Sequence, residues 1–368
     1  MSLATADAPS HAAPHFHWLR IADVRRETAD AVSIAFAVPP ALAGHYTFRP
    51  GQYLTLRATL DGEEVRRSYS ICSGLDDGEL RIAIKQTEGG LFSTWAQHCL
   101  AIGDRIEVMT PSGRFGAPLE PDKARLHVAI AAGSGITPVM SLMKSILVRE
   151  TQSRFFLFYG SRATGGILFR GVLEDLKDRY LGRLSVFHVL SREEQDVGAL
   201  YGRLDRERLG LLLRAIPGGL AIDHVYICGP HGMVPEAEAA LAAASVDPER
   251  IHIERFTSTL SGRPRAPVAA SPAATPHALA AIIRDGARVE IPVLEGEAVL
   301  DAALRAGIEL PYACKGGMCC SCRARLVEGR AEMALNYALE PWEIEAGFVL
   351  TCQARPTSAR LVVDYDHQ

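Results

Sequence analysis

Four cysteines carry the sharpest chemical signal in this sequence. Cys314, Cys319 and Cys322 follow the spacing C-x4-C-x2-C, and Cys352 lies downstream of them. Thiolates are soft anionic ligands, and this spacing suits a [2Fe–2S] cluster in which each iron takes two of them. Gly316 and Gly317 let the loop wrap such a cluster with its amides turned towards sulfur. The same four cysteines could instead form a structural zinc site. Zinc usually takes two short-spaced pairs, and only Cys319 and Cys322 make one here. Cys320 falls inside the short gap and reads as a small filler that is liable to oxidation. Five of the eight cysteines stand between 314 and 352, a clustering that favours metal or cluster ligands over disulfides.

Two glycine turns come next. Gly133-Ser134-Gly135-Ile136-Thr137-Pro138 follows an apolar run and precedes a helical pattern. Glycines there let a backbone approach a pyrophosphate, and a helix N-terminus offers amides and the positive end of a dipole. Pro138 suits a first helical turn. Cys228-Gly229-Pro230 closes a second apolar run. Alone, the first turn could be a tight connection with no ligand, and Cys228 a buried strand-end residue. Ser191-Arg192 follows a third run, with Arg162 and Arg203 as further cations. An arginine suits a phosphate through paired hydrogen bonds, although a solvated arginine is the plain alternative. In Arg67-Ser68-Tyr69-Ser70, a strand would put Arg67 and Tyr69 on one face. Such a pair by itself is often only a surface pair.

The elements that must position these residues are legible as patterns. Short alternating runs recur at Leu19–Val24, Ala31–Val38, Tyr53–Leu60, Glu64–Ile71, Leu80–Lys85 and Arg105–Met109. They predict an antiparallel β-barrel or sandwich over 15–120. From Arg125 the pattern changes. Apolar runs Leu126–Ala131, Phe155–Tyr159, Leu184–Val189, His224–Cys228 and His252–Phe256 alternate with helical stretches Pro138–Arg149, Leu168–Tyr180, Leu204–Leu213 and Met233–Ala244. This predicts an α/β domain with a doubly wound parallel sheet over 121–257. Residues 1–14 read as a disordered tail, and the Pro/Ala/Ser-rich stretch 258–277 as a linker. A third unit, of α+β type, is expected over 278–368.

Composition narrows the function classes. The net charge is −4, with no basic excess for general nucleic-acid binding. The first residues lack a basic and an apolar region, and no apolar run reaches membrane-spanning length, so a cytoplasmic protein is expected.

The segment Ile308-Glu309-Leu310-Pro311-Tyr312 through Cys322, with Val299-Leu300-Asp301-Ala302-Ala303 before it, resembles a plant-type ferredoxin. That resemblance implies a β-grasp fold. The two glycine turns resemble the nicotinamide domain of the ferredoxin–NADP reductase superfamily. The resemblance implies that Gly133, Gly135, Thr137 and Pro138 hold the pyrophosphate. It places Cys228, Gly229 and Pro230 at the nicotinamide ring and gives the 2′-phosphate of NADPH to Ser191 and Arg192. Arg67-Ser68-Tyr69-Ser70 resembles the flavin motif of the same superfamily, with Arg49-Pro50-Gly51-Gln52-Tyr53 before it. Ile84-Lys85 and Gly89-Gly90-Leu91-Phe92-Ser93 follow it. The motif implies Arg67 on the pyrophosphate, Tyr69 on the isoalloxazine and Ser70 near its N5. Lys85, Gly90 and Ser93 are further cofactor contacts, and FAD is preferred to FMN. In Glu254-Arg255-Phe256, relatives place an acid and an aromatic beside the flavin. Phe256 either stacks there or belongs to the core.

Domain order and the stretches Arg66–Cys72, Ile130–Pro138, Pro311–Cys322, Asn336–Glu340, Gly347–Gln353 and Val362–Asp366 resemble the reductase family of the multicomponent phenylacetyl-CoA epoxidases. Cys320 departs from the small residue expected beside the second ligand. The resemblance implies electron flow from NADPH through FAD and the cluster to a separate di-iron oxygenase of phenylacetate catabolism. A flavin links a two-electron donor to a one-electron acceptor, so no catalytic acid or base is assigned. The alternatives are a reductase of another ring- or alkane-hydroxylating oxygenase, or a redox sensor without catalytic turnover. The nicotinamide turns argue against the sensor.

Overall fold

The computed structural model describes residues 15–217, 221–256 and 276–367. The expected tail, and the expected linker up to residue 275, lie outside them. The described residues fall into two compact units, one within 16–256 and the other within 276–367 together with His15.

The first unit begins with six antiparallel strands: β1 Phe16–Thr28, β2 Ala31–Ala37, β3 Tyr53–Leu60, β4 Glu63–Ser70, β5 Leu80–Lys85 and β6 Arg105–Met109. Their order is β4-β3-β6-β1-β2-β5, and a bridge between Ile71 and Ile82 brings the two edges together into a barrel. Alternation decides which side chains point inwards. Leu19, Ile21, Ile34, Leu54, Leu56, Ile82, Ile84 and Val108 are all fully buried. Each contributes about 1.5–3 kcal/mol of hydrophobic stabilisation relative to exposure. Helix α1, Leu91–Cys99, buries Phe92 and Ala96 against this core.

The same unit continues into a parallel sheet of β7 Leu126–Ala132, β8 Arg154–Ser161, β9 Leu184–Leu190, β10 His224–Gly229 and β11 Ile251–Arg255. Its order is β11-β10-β7-β8-β9. Helices α2 Ile136–Arg149, α3 Arg170–Arg179, α4 Arg206–Arg214 and α5 Met233–Ala243 connect the strands. One core lies between the sheet and α2 with α3, the other beneath α4 and α5. The chain leaves β7 in one direction for β8 and later returns on its other side as β10. The Gly133 turn therefore stands at the switch point, where ligands of such sheets bind. Helix α2 starts at Ile136, two positions before the expected Pro138 (138 minus 136). The proline sits in the first turn, where its missing N–H forfeits no helical bond. Phe256 lies just beyond β11 rather than inside it.

The barrel and the parallel sheet share packing. Cys72 and Phe115 belong to the α2 core, Ser141 donates to the Ser73 carbonyl at 2.7 Å, and Lys144 pairs with Asp77 at 2.8 Å.

The second unit holds β12 Ala278–Arg284, β13 Ala287–Val293, α6 Val299–Arg305, β14 Arg323–Glu328, β15 Ala331–Met333, α7 Pro341–Glu345, β16 Phe348–Leu350, β17 Ala354–Pro356 and β18 Arg360–Asp364. The main sheet runs β13-β12-β18-β14-β16, with β15 and β17 paired separately. Val299, Leu300, Ala302 and Ala303 of α6 pack on Ile282, Ile291, Leu361 and Val363. A mixed sheet with one helix laid across it meets the β-grasp expectation.

Candidate functional site

The two glycine turns meet at the carboxyl edge of the parallel sheet. A Cβ placed on Gly135 would lie 2.0 Å from the Cys228 carbonyl oxygen, so only glycine lets the two backbones come this close. Gly133 takes φ +56° with open space beside it. The Tyr159 hydroxyl, buried under the sheet edge, donates to the Gly133 carbonyl at 3.0 Å and fixes the turn from below. Thr137 donates to the Ser134 carbonyl at 2.9 Å, so its hydroxyl stabilises the turn itself. Pro138 is buried in the first turn of α2. Gly229 is buried against Met233, while Pro230 is exposed.

Ser191 and Arg192 lie just past β9, beside the end of β8. The Ser191 and Arg192 amides donate to the Ser161 and Arg162 carbonyls at 3.0 and 2.8 Å. Adjacent strand ends therefore carry Arg162 and Arg192 side by side. Glu193 pins the neighbouring loop by accepting from the Thr164 amide at 2.8 Å and its hydroxyl at 2.6 Å. These bonds hold its carboxyl below the usual range.

The barrel contributes from β4. Tyr69 is half-buried with its ring 5.8 Å from that of Phe92, and Arg67, exposed on the same strand face, donates to the Arg66 carbonyl at 2.7 Å. Gly90 immediately precedes α1, whose first amides are the groups that would meet a phosphate. Ser93 turns inwards instead. Its hydroxyl accepts from the Thr87 amide at 3.1 Å and donates to the Gly90 carbonyl at 3.2 Å. Lys85 forms an ion pair with Asp30 at 3.4 Å.

Ser70 points to the opposite face of β4 and reaches the parallel sheet. Its hydroxyl donates to Glu254 Oε2 at 3.2 Å, and Cys228 Sγ lies 4.0 Å from the same oxygen. Burial pushes the Glu254 carboxyl up to about 8, against the lowering effect of the Ser70 bond. Burial, then Glu254, raises the Cys228 thiol far above its ordinary value. At neutral pH this point therefore holds a protonated acid beside an uncharged thiol. Phe256 is half-buried and packs against the core that contains Tyr226 and Cys228. Residue patterns alone missed Glu254. Its signal was a single acid in the otherwise apolar-spaced end of a strand, and only resemblance singled it out.

In the second unit the four cysteines come together in two pairs. Cys314 touches Cys319, and Cys322 touches Cys352. The Gly316 amide donates to Cys314 Sγ at 3.3 Å, the Cys314 amide to Cys319 Sγ at 3.5 Å, and the Gln353 amide group to Cys352 Sγ at 3.6 Å. The contact with Cys319, helped by the Gly316 and Met318 amides, brings the Cys314 thiol down to about 6 despite burial. Among the described residues no group of three or more His, Cys, Asp or Glu side chains is placed to hold a metal ion. Two thiol pairs with amide donors suit two bridged irons better than one tetrahedral ion. Cys320 stands apart, its thiol donating to the Ala338 carbonyl at 3.3 Å. Thr351 anchors the distant ligand by donating to the Cys322 carbonyl at 2.9 Å, and its hydroxyl is 2.6 Å from that of Tyr365. A buried ion pair of Arg323 and Glu343 at 2.7 Å braces the loop's exit.

Comparison with known proteins meets this arrangement. Residues 19–116 match the oxidoreductase FAD-binding domain family, 129–239 the oxidoreductase NAD-binding domain family, and 282–357 the 2Fe-2S iron-sulfur cluster binding domain family. The chain is 43% identical over 353 residues to one subunit of the 1,2-phenylacetyl-CoA epoxidase of Escherichia coli, covering 95% of this chain and 98% of that one. It is 35% identical over 359 residues to the ferredoxin reductase component of 3-ketosteroid-9-alpha-monooxygenase from Mycolicibacterium smegmatis, covering 96% and 98%. In fold it is similar to phthalate dioxygenase reductase, with a TM-score of 0.57, 24% identity, and coverage of 95% of this chain and 98% of that one.

Proposed function

Because this chain belongs to the family of oxygenase reductase components that includes this 1,2-phenylacetyl-CoA epoxidase subunit, we propose that it feeds NADPH electrons to a separate di-iron oxygenase acting on phenylacetyl-CoA. The chain is an NAD(P)H-dependent iron–sulfur flavoprotein oxidoreductase. When bound, FAD accepts a hydride and releases electrons singly, and the [2Fe–2S] cluster carries them one at a time.

The chain's own residues bind, orient and tune. Gly133 and Gly135 open the first turn to the pyrophosphate, and the start of α2 supplies amides to it. Cys228, Gly229 and Pro230 shape the nicotinamide side, and Phe256 closes the core beside it. Arg67, Lys85 and the turn from Gly90 to Ser93 serve the FAD phosphates, and Tyr69 its ring. Cys314, Cys319, Cys322 and Cys352 hold the cluster, and their amide donors offset its charge. Preference for NADPH rests on Ser191, Arg192 and the neighbouring Arg162, since two guanidinium groups suit a 2′-phosphate. The choice of client rests on 43% identity to the epoxidase component against 35% to the ketosteroid component. A cytoplasmic location fits reactive thiols held as ligands, and no helix among the described residues is long and apolar enough to cross a membrane.

The observation that carries the reading is the meeting of Ser70, Cys228 and Glu254 where the barrel faces the nicotinamide turns. A buried, protonated acid hydrogen-bonded to a serine can hold a proton at the hydride-transfer position while excluding water. Anaerobic NADPH titration followed by visible absorbance and EPR tests it. Bleaching of a flavin and the signal of a reduced [2Fe–2S] cluster are expected. With the purified oxygenase component, phenylacetyl-CoA-dependent oxygen uptake should follow. A preparation with zinc in place of iron, or one inert to both nicotinamides, would refute the proposal.

A further inference from the structure

The amino-terminal edge of the parallel sheet holds a partly buried stack of rings that the proposed reaction does not use. Tyr226 and His252 stack at 5.2 Å and 20°, His224 and His252 lie 5.3 Å apart, and His127 stacks on Tyr226 at 6.0 Å and 12°. Phe155 extends the stack from β8. Hydrogen bonds tie the rings together. His224 Nδ1 is 3.1 Å from His252 Nε2, and the Tyr226 hydroxyl is 3.3 Å from His127 Nδ1. His127 Nε2 is 3.0 Å from Glu150 Oε2, and that carboxylate also accepts from Arg125 and Ser153.

The stack bears on β11. Among the described residues this strand has β10 as its one partner in the sheet, and all five of its residues are half-buried. His252 pairs with Tyr226, and Glu254 with Cys228, one step further along the same strand faces. The rings therefore brace the strand directly below the carboxyl that meets Ser70.

We propose that this stack is a positioning element: the rings of His224, Tyr226 and His252 hold edge strand β11 so that Glu254 stays against Ser70 and Cys228. The inference rests on the reading of those three residues as the hydride-transfer site. The imidazoles of His224 and His252 are closely surrounded. His224 faces Arg125, whose Nη1 is 3.3 Å from its Nε2, as well as His127 and His252. His252 faces His127, His224 and Tyr226. The nearby acids are already engaged. Glu150 and Glu120 bond to Arg125, and Asp223 to the Leu126 amide. Burial, then His127, His252 and Arg125, pushes His224 down to about 4, and burial with His127 lowers His252. Both shifts are downward, so at pH 8 both rings are neutral and hold the strand by packing and hydrogen bonding.

Hydrogen exchange of residues 251–256 in the full chain, read as protection against the intrinsic rate, tests this beside anaerobic flavin reduction by NADPH. His252→Ala should lose protection at pH 8 and slow flavin reduction at least tenfold, with nicotinamide affinity within about twofold. His252→Phe keeps a ring on Tyr226 and should restore both protection and rate at pH 8. Wild-type protection and rate in His252→Ala would overturn the proposal. So would a His252→Phe protein as impaired as His252→Ala. If His252→Ala fails to fold, His252→Leu, which fills the site without a ring, takes its place and should show the same losses. A wild type that shows the exchange pattern but no nicotinamide-dependent reduction would sink the hydride-transfer reading instead.

Discussion

Replacing Gly135 by alanine separates binding of the nicotinamide from the transfer step. The added Cβ would stand 2.0 Å from the Cys228 carbonyl oxygen and 2.9 Å from the Gly229 nitrogen. Ordinary contact begins at 3.4 Å, so the backbones must part by about 1.4 Å (3.4 minus 2.0). Both opposing groups are backbone, held in β10 by pairing with β7 and β11, so no flexible side chain can absorb the clash. The displaced segment carries Cys228 and is paired with Glu254. A shift of about 1 Å in a reacting arrangement can cost on the order of 100-fold in rate. Gly133 provides the contrast. Nothing lies within 4 Å of a Cβ there, and its φ is +56°. Alanine at 133 costs about 1–2 kcal/mol of backbone strain but leaves the Cys228 turn in place. In anaerobic stopped-flow at saturating NADPH, Gly135→Ala should reduce its flavin roughly 30- to 100-fold more slowly with normal FAD content. Gly133→Ala should keep the saturating rate and weaken NADPH binding, because its methyl crowds the pyrophosphate. A Gly135→Ala protein with wild-type melting and a wild-type reduction rate would refute the reasoning.

Three further outcomes follow from the same geometry. Arg192→Ala should weaken NADPH binding by roughly 10- to 100-fold, the worth of one or two charge-assisted hydrogen bonds, and leave NADH binding within about threefold; equal losses for both would dismiss the 2′-phosphate role. Glu150→Ala should cost about 3–5 kcal/mol in urea unfolding, because it strips partners from buried Arg125, His127 and Ser153, and a loss under about 1 kcal/mol would contradict the packing. Cys352→Ser should abolish the cluster EPR signal and electron delivery to the oxygenase while leaving NADPH reduction of the flavin intact, and loss of the flavin as well would count against separate roles for the two units.

The sequence went far because local patterns here agree with the global fold. The six barrel runs and five parallel-sheet runs appear where alternation and apolar blocks put them, with ends shifted by a few residues. The third unit was less legible. β15, β16 and β17 have three residues each, too few to show a period.

Residue type and spacing singled out the cluster ligands and the glycine turns, and resemblance the flavin motif, because apart from Cys352 each candidate group lies within a short stretch whose chemistry is local. Tertiary structure decided what spacing cannot carry. It brought Ser70, Cys228 and Glu254 to one point, turned Ser93 into its own turn, and paired the thiols as Cys314 with Cys319 and Cys322 with Cys352. It also gathered His127, His224 and His252 into one stack. These groups are far apart along the chain. Their contacts, and the burial that raises Glu254 and lowers His224, come into being only when separate strands close over a shared core.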